Sequence, residues 1–193
     1  MQLPVGDTAV DDTVVQGKGT VGVVFAHMSG EDLCEWYPYA QQFAQQGYLA
    51  LTYTSGGGMD QDVAAMVHEL KRRGATSVLL IGGSMGGTAV LTAASERLAL
   101  PVTAVVSLSG PGDYAGADAA AAVKRLTMPV LFMADKDDEP FADDATTMNA
   151  ACGSPVHQLK LYPGSAHASA LLTDTTALAD FHAFVKRYAP PAA

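Results

Sequence analysis

A serine flanked by glycines stands where a predicted strand meets a predicted helix. Residues 82–87 read Gly-Gly-Ser-Met-Gly-Gly, which fits the pattern G-x-S-x-G with Ser84 at its centre. Between a strand and a helix this pattern makes a sharp turn that exposes the serine hydroxyl, and it needs Gly82 and Gly86 to lack side chains. The amide of Met85, in the first helical turn, then points to where an oxyanion would form.

The other interpretations of this turn fit the residues less well. A glycine-rich turn can simply pack a helix closely on a strand, but the flanking strand and helix favour a nucleophilic serine. Phosphate-binding loops are excluded because Ser84 and Met85 stand where G-x-G-x-x-G needs glycine, and the chain has no G-x-x-x-x-G-K-[ST]. The turn therefore supports serine chemistry and no nucleotide site.

A histidine and an acidic run follow Ser84 along the chain. A serine hydroxyl is a weak nucleophile at neutral pH, so it needs a histidine base and an acid that orients the base. His167 follows the last predicted strand, and the acidic run Asp135–Glu139 follows the strand before it. The other four histidines lie within or at the ends of predicted elements, and we interpret them as structural or surface residues. A solvated loop would explain most carboxylates of the run, and the run lacks the residue order of a calcium loop.

The elements that must position these residues alternate along the chain as β-α-β-α. The predicted strands are Val21–Ala26, Tyr48–Tyr53, Val78–Ile81, Val102–Leu108, Val130–Ala134 and His157–Tyr162. The predicted helices are Trp36–Gln46, Asp60–Arg73, Met85–Arg97, Ala117–Leu126, Asp143–Ala151 and Ser169–Tyr188. Most strands are continuously apolar, as in a parallel sheet covered by helices on both faces, and Thr8–Val15 is a weaker candidate for an added edge pair. No linker or repeat divides the chain, so we expect residues 1–193 to form a single domain.

Composition and charge exclude several classes of partner. Of 193 residues 49% are hydrophobic, and 11 basic against 20 acidic residues give a net charge of −9. The chain has no basic cluster beyond Lys71–Arg73, so we expect neither nucleic acid nor an anionic membrane as a partner. The start of the chain lacks the basic and apolar regions of an export signal, and no stretch is apolar enough to span a bilayer. We therefore expect a soluble, cytoplasmic protein. The sequence leaves open whether a leader was removed and what the oligomeric state is.

These motifs resemble those of the α/β-hydrolase family, specifically of small lid-less serine esterases related to dienelactone hydrolase. The resemblance spans about Val21–Tyr188 and rests on the turn at Ser84, the acidic loop and the run Gly164–His167. It implies the α/β-hydrolase fold, a mostly parallel sheet of six to seven strands without a cap domain, and a catalytic triad that includes Ser84 and His167. The family places the acid three residues before an apolar position, here Phe141, which favours Asp138 over Asp137.

The resemblance also suggests an oxyanion hole and an open substrate site. In the family, a backbone amide of a His-Gly-x turn is the second oxyanion donor, beside the amide that here belongs to Met85. In this chain the turn reads His27-Met28-Ser29, so the Ser29 amide is the expected donor and the Met28 amide the alternative. Trp36 stands nine residues after His27, as the family tryptophan does. We expect Met28, Trp36 and Phe141 to line the substrate site, although ordinary packing would also explain them.

The resemblance implies a carboxylesterase that works through an acyl-enzyme and needs neither metal nor cofactor. The segment Ser109–Pro129 is long enough for one crossover helix and leaves nothing for a lid, so we expect small esters with short acyl groups. Acyl transfer, perhydrolysis, and thioester, lactone or peptide cleavage would use the same triad, and a non-catalytic ligand-binding protein is the more distant alternative. Dienelactone hydrolases carry a reactive cysteine where this chain has Ser84. We interpret Cys34 as structural or incidental, and whether it bonds to Cys152 is left open.

Overall fold

A mostly parallel sheet forms the centre of the protein, and the computed structural model describes residues 3–5, 8–10 and 12–191. The strands are β1 (Leu3–Val5), β2 (Thr8–Val10), β3 (Thr13–Gln16), β4 (Val21–Ala26), β5 (Leu49–Tyr53), β6 (Ser77–Gly83), β7 (Val102–Leu108), β8 (Asp113–Tyr114), β9 (Ala117–Asp118), β10 (Val130–Asp135) and β11 (His157–Tyr162). The α-helices are α1 (Tyr37–Gln45), α2 (Asp60–Arg72), α3 (Met85–Ala94), α4 (Ala119–Ala122), α5 (Phe141–Ala151) and α6 (Thr175–Tyr188). Short 3₁₀ helices lie at Val123–Arg125 and Ala168–Thr173.

The main sheet has seven strands in the order β11-β10-β7-β6-β4-β5-β3. Its pairs are parallel except for β3, which runs antiparallel to β5 at the edge. The mostly parallel sheet of six to seven strands predicted from the sequence is therefore confirmed. The predicted edge pair over Thr8–Val15 was partly wrong, because only Thr13–Gln16 joins this sheet while β2 pairs with β1. Residue 11 of that segment lies outside the described residues.

Two apolar cores cover the two faces of the sheet, because successive side chains of a strand point to opposite faces. The α3-side core contains Val24 of β4 together with buried residues of α2, α3 and α5. The α1-side core contains Val23 and Phe25 of the same strand together with residues of α1 and α6. Every residue of β5 and β10 is buried, as is typical of a parallel strand covered on both faces. The predicted arrangement of helices on both faces is confirmed.

The largest differences from the predicted helices are in two segments. The helix predicted over Ala117–Leu126 begins only at Ala119 in the structure. Ala115 and Gly116 have positive φ angles and make a tight turn between β8 and β9, so Ala117 and Asp118 belong to a strand. The predicted helix Ser169–Tyr188 is divided at Asp174, whose backbone is extended and whose carboxylate accepts hydrogen bonds from the amides of Thr176 and Ala177. Asp174 thus caps α6, which begins afresh there.

The parallel strands place their carboxyl ends at one edge of the sheet, here called the C-terminal edge. The loops after β4, β6, β7, β10 and β11 all leave the sheet there. In open sheets of this kind, reactive groups gather at that edge. Within the described part of the chain, no helix combines the length and the apolar character needed to cross a membrane.

Candidate active site

Ser84 lies between the end of β6 and the start of α3, with φ at 49° and ψ at −117°. This region of backbone space is sterically costly for a residue with a side chain, so the surrounding structure must hold it there. The Ser84 amide donates to Leu108 O at 2.8 Å. A Cβ atom at Gly82 would collide with the Gly86 backbone, and one at Gly86 would collide with Ala26. The two glycines that the sequence pattern requires are thus explained by close backbone contacts.

His167 follows β11 and contacts one of the two candidate carboxylates. Its Nδ1 lies 2.9 Å from Oδ2 and 3.1 Å from Oδ1 of Asp138. Asp138 is buried, whereas Asp137 is exposed. An Nδ1–H that donates to the carboxylate leaves Nε2 unprotonated, which is the state a base needs. Of the two acids that the sequence left in competition, the structure places Asp138 beside His167.

The two amides that flank His167 are held by buried polar side chains. The Ala166 amide donates to Asp135 Oδ2 at 2.7 Å, and the Ala168 amide donates to Ser109 Oγ at 3.1 Å. Asp135 ends β10 and Ser109 follows β7, so two neighbouring strands fix the position of this loop. Burial raises the pKa of the Asp135 carboxyl, and the hydrogen bond from Ala166 partly offsets this.

The loop of His167 meets the turn of Ser84 at Gly83. A Cβ atom at Gly83 would lie 2.9 Å from Ala168 Cβ and 3.4 Å from both Glu35 Oε1 and Trp36 Cζ2. Ala168 directly follows His167, and Gly83 directly precedes Ser84. The absence of a side chain at Gly83 therefore lets the two segments approach each other closely.

The turn after β4 is held by hydrogen bonds that involve three side chains. The Met28 amide donates to Glu35 Oε2 at 2.7 Å, and the indole Nε1 of Trp36 donates to Ala26 O at 3.0 Å. The ring of His27 has Nδ1 at 2.7 Å from Met28 O, while its Nε2 accepts from the Ser55 amide at 2.8 Å. Because Nε2 accepts, the ring proton is on Nδ1 and is donated to Met28 O. This network orders a turn in which methionine replaces the glycine of the family pattern.

The residues expected to line the substrate site have different surroundings. Phe141 is half-buried, and its ring centroid lies 4.4 Å from that of His167. Met28 is also half-buried. The prediction for Trp36 was wrong, because its side chain is fully buried against Phe25 and has no surface left for substrate. Trp36 instead stabilises the turn after β4 through the hydrogen bond from its indole to Ala26 O.

Sequence reasoning missed three residues that shape this site. Glu35 holds the Met28 amide, and its Oε1 is buried without a hydrogen-bond partner among the described residues. Ser109 holds the amide after His167, and Tyr114 donates a hydrogen bond to Ser29 Oγ at 2.9 Å. No motif marks any of them. Only the strand-end position of Ser109 was a signal in the sequence.

Both cysteines are free thiols, and their surroundings raise their pKa values. Cys34 is exposed and Cys152 is half-buried. Hydrogen bonding to the Asp32 carboxylate raises the pKa of the Cys34 thiol, so the less reactive protonated form dominates at neutral pH. Burial raises the pKa of the Cys152 thiol as well.

The sheet topology and the strained serine turn between β6 and α3 define the class of protein, which is that of the α/β-hydrolases. The dienelactone hydrolase family model matches residues 54–183, and the chain belongs to this family. Membership of a hydrolase family supports ester hydrolysis as the kind of reaction. No curated protein matches the sequence.

Solved structures share the fold over almost the whole chain. Dienelactone hydrolase from Anabaena variabilis is 22% identical, with 97% of this chain and 96% of that chain covered and a TM-score of 0.74. The Pyrococcus furiosus esterase Pf2001 is 14% identical, with 97% and 91% covered and a TM-score of 0.80. A structure from work on Nitrososphaera gargenis carboxylesterases is 13% identical, with 97% and 98% covered and a TM-score of 0.78. At these identities the likeness establishes the fold.

Proposed function

We propose that this protein is a serine carboxylesterase that cleaves small esters with short acyl groups. One observation carries the proposal: the Asp138 carboxylate contacts Nδ1 of His167 on a loop that packs against the strained turn of Ser84. A nucleophile, a base and an orienting acid at the C-terminal edge of one sheet are the parts that acyl transfer from an ester requires.

In the proposed reaction, Ser84 Oγ attacks the ester carbonyl carbon while its proton passes to His167 Nε2. The tetrahedral oxyanion is bound by the amides of Met85 and Ser29. When the ester C–O bond breaks, the leaving alkoxide takes the proton from His167 and departs as the alcohol. Water then attacks the acyl carbonyl carbon and gives a proton to His167, which passes it to Ser84 Oγ as the acyl–Oγ bond breaks and the carboxylic acid leaves. Asp138 holds the imidazole in the required tautomer and stabilises its positive charge.

The hydrogen bonds of the β4 turn support Ser29 over Met28 as the second oxyanion donor. The Met28 amide already donates to a carboxylate at 2.7 Å, a charge-assisted bond that a substrate oxygen would have to displace. The Met85 amide lies in the first turn of α3, where backbone N–H groups have no acceptor within the helix. These two amides therefore remain the best pair for an oxyanion.

The short connection between β7 and β10 supports small substrates. It contains the β8–β9 hairpin, α4 and one 3₁₀ turn, which together leave no helical layer above the site. A site without such a cover offers little apolar surface to a long acyl chain, and transfer of each methylene to an apolar site contributes about 0.8 kcal/mol. The similar structures include a dienelactone hydrolase and an esterase, which agrees with an ester substrate.

The test is turnover of p-nitrophenyl acetate by the wild type and by Ser84→Ala. Ser95→Ala, at the opposite end of α3, is the matched serine control. We expect Ser84→Ala to lose on the order of 10⁵-fold in kcat while its circular dichroism spectrum stays native. A fluorophosphonate probe should label the wild type and Ser95→Ala but not Ser84→Ala. Retained turnover in Ser84→Ala, or labelling elsewhere, would contradict the proposal. Panels of thioesters, lactones and acyl acceptors then test the neighbouring reactions.

A further inference from the structure

A side-chain bridge joins two loops of the C-terminal edge that are far apart in sequence. The Tyr114 hydroxyl donates to Ser29 Oγ at 2.9 Å, and we call this pair the strap. Ser29 belongs to the turn after β4, and Tyr114 belongs to the β8–β9 hairpin that follows β7. In the sheet β4 and β7 lie on either side of β6. The strap therefore crosses the site where β6 ends and Ser84 begins the turn into α3.

The strap lies on the α3 side of the sheet. Tyr114 and Met85 are both half-buried, and both pack against the α3-side core. The segment before the hairpin is fixed there by two further bonds: Thr88 Oγ1 of α3 donates to Pro111 O at 2.6 Å, and the Gly112 amide donates to Asp144 Oδ2 at 3.1 Å. With the hairpin anchored on α3 and α5, the Tyr114 ring has a defined position at the edge of the site.

The segment that follows His167 lies on the other side of the sheet. Its 3₁₀ helix buries Leu171 and Leu172 in the α1-side core. Ala168, the first residue of that helix, packs at Gly83. At the end of β6, the strap thus lies on the α3 side and the segment after His167 lies on the α1 side.

The proposed reaction assigns the two halves of an ester to these two sides. His167 must return its proton to the leaving alkoxide, so the alcohol portion lies towards His167. With the carbonyl oxygen held by the Met85 and Ser29 amides, the acyl portion extends away from His167 and towards the strap. We propose that Tyr114 is a specificity-determining residue whose ring limits the length of the acyl group. This inference rests on the proposed function and adds the residue that sets its substrate range.

The experiment measures kcat/KM for p-nitrophenyl acetate, butyrate and octanoate in the wild type, Tyr114→Ala and Tyr114→Phe. Tyr114→Ala removes the ring, so the ratio of kcat/KM for octanoate to kcat/KM for acetate should rise at least about tenfold. This is the effect expected when a pocket gains room for one methylene or more. Tyr114→Phe loses the bond to Ser29 but keeps the packed ring, so its ratio should stay close to that of the wild type. Tyr188→Ala removes a half-buried tyrosine from the end of α6, and its ratio should also be unchanged.

A second series keeps the acetyl group and varies the alcohol, and Tyr114→Ala should leave that profile unaltered. An unchanged acyl profile in Tyr114→Ala, or a shift in the alcohol profile instead, would overturn the inference while leaving Ser84-dependent turnover intact. If Tyr114→Ala does not fold, Tyr114→Leu keeps apolar packing with a shorter side chain and must show the same direction of change. A wild type without Ser84-dependent ester turnover would overturn the proposed function itself, which is a different result.

Discussion

The buried carboxylate of Asp135 offers a direct test of how His167 is held in place. Only 5% of Asp135 is exposed, and its Oδ2 accepts the Ala166 amide at 2.7 Å. Asp135→Ala removes this acceptor and leaves a buried amide unpaired next to His167. A buried donor left without a partner costs about 1–3 kcal/mol, so the free energy of unfolding should fall by about that amount.

The effect on catalysis should follow from a small displacement of the imidazole. A shift of about 1 Å in a catalytic group can cost on the order of a hundredfold in rate, so Asp135→Ala should lose between about tenfold and a hundredfold in kcat with little change in KM. Asp135→Asn keeps a carbonyl oxygen as acceptor for the Ala166 amide, so its kcat should remain near the wild-type value. Asp137→Ala removes an exposed carboxylate of the same loop and serves as the control.

The same variants make a prediction about pH. Burial raises the pKa of Asp135, so the folded state favours the neutral carboxyl. The contribution of Asp135 to stability is therefore complete below its unfolded pKa and is lost as the pH rises through its folded pKa. Asp135→Asn carries no charge at any pH, so its stability relative to the wild type should be greater at neutral pH than in acid.

Urea unfolding followed by circular dichroism at neutral and acidic pH measures this difference, and steady-state kinetics on p-nitrophenyl acetate measure the catalytic effect. The reasoning is refuted if Asp135→Asn loses as much kcat as Asp135→Ala, because the carboxylate would then act through its charge. It is equally refuted if the relative stability of Asp135→Asn rises as the pH falls.

Two further predictions concern the acid and the β4 turn. Asp138→Asn should lower kcat on the order of 10⁴-fold, because the amide can stabilise the wrong imidazole tautomer. Asp137→Asn should keep a kcat near that of the wild type. If steady-state kinetics gave the reverse ranking, Asp138 would not be the acid that orients His167. Glu35→Ala frees the Met28 amide and should lower kcat by about ten- to a hundredfold through a displaced oxyanion turn, less than the loss of a donor outright. Glu35→Gln, which retains an acceptor, should recover most of that activity, and equal losses in both variants would exclude this positioning role.

The main features of the fold could be predicted because they depend on local patterns. Continuous apolar strands predict a sheet covered on both faces, and the periodic apolar face of α2 predicts its helix almost to the residue. The turn at Ser84 is also local, since Gly82 and Gly86 are needed by the strand-turn-helix geometry itself. Where two structures compete locally, prediction failed: the alanine-rich run after Tyr114 starts as a strand because the Ala115–Gly116 turn pairs β8 with β9.

The sequence by itself thus determined the sheet, the serine turn and the order in which acid and base follow Ser84. The family resemblance favoured Asp138 over Asp137, and the tertiary structure shows the physical reason: the loop after β10 buries Asp138 beside His167 and exposes Asp137. Tertiary structure alone decided that Trp36 is a core residue, and that Tyr114 meets Ser29 across the end of β6. Such contacts join residues distant in the chain, and they depend on how loops pack at the C-terminal edge, which no local pattern encodes.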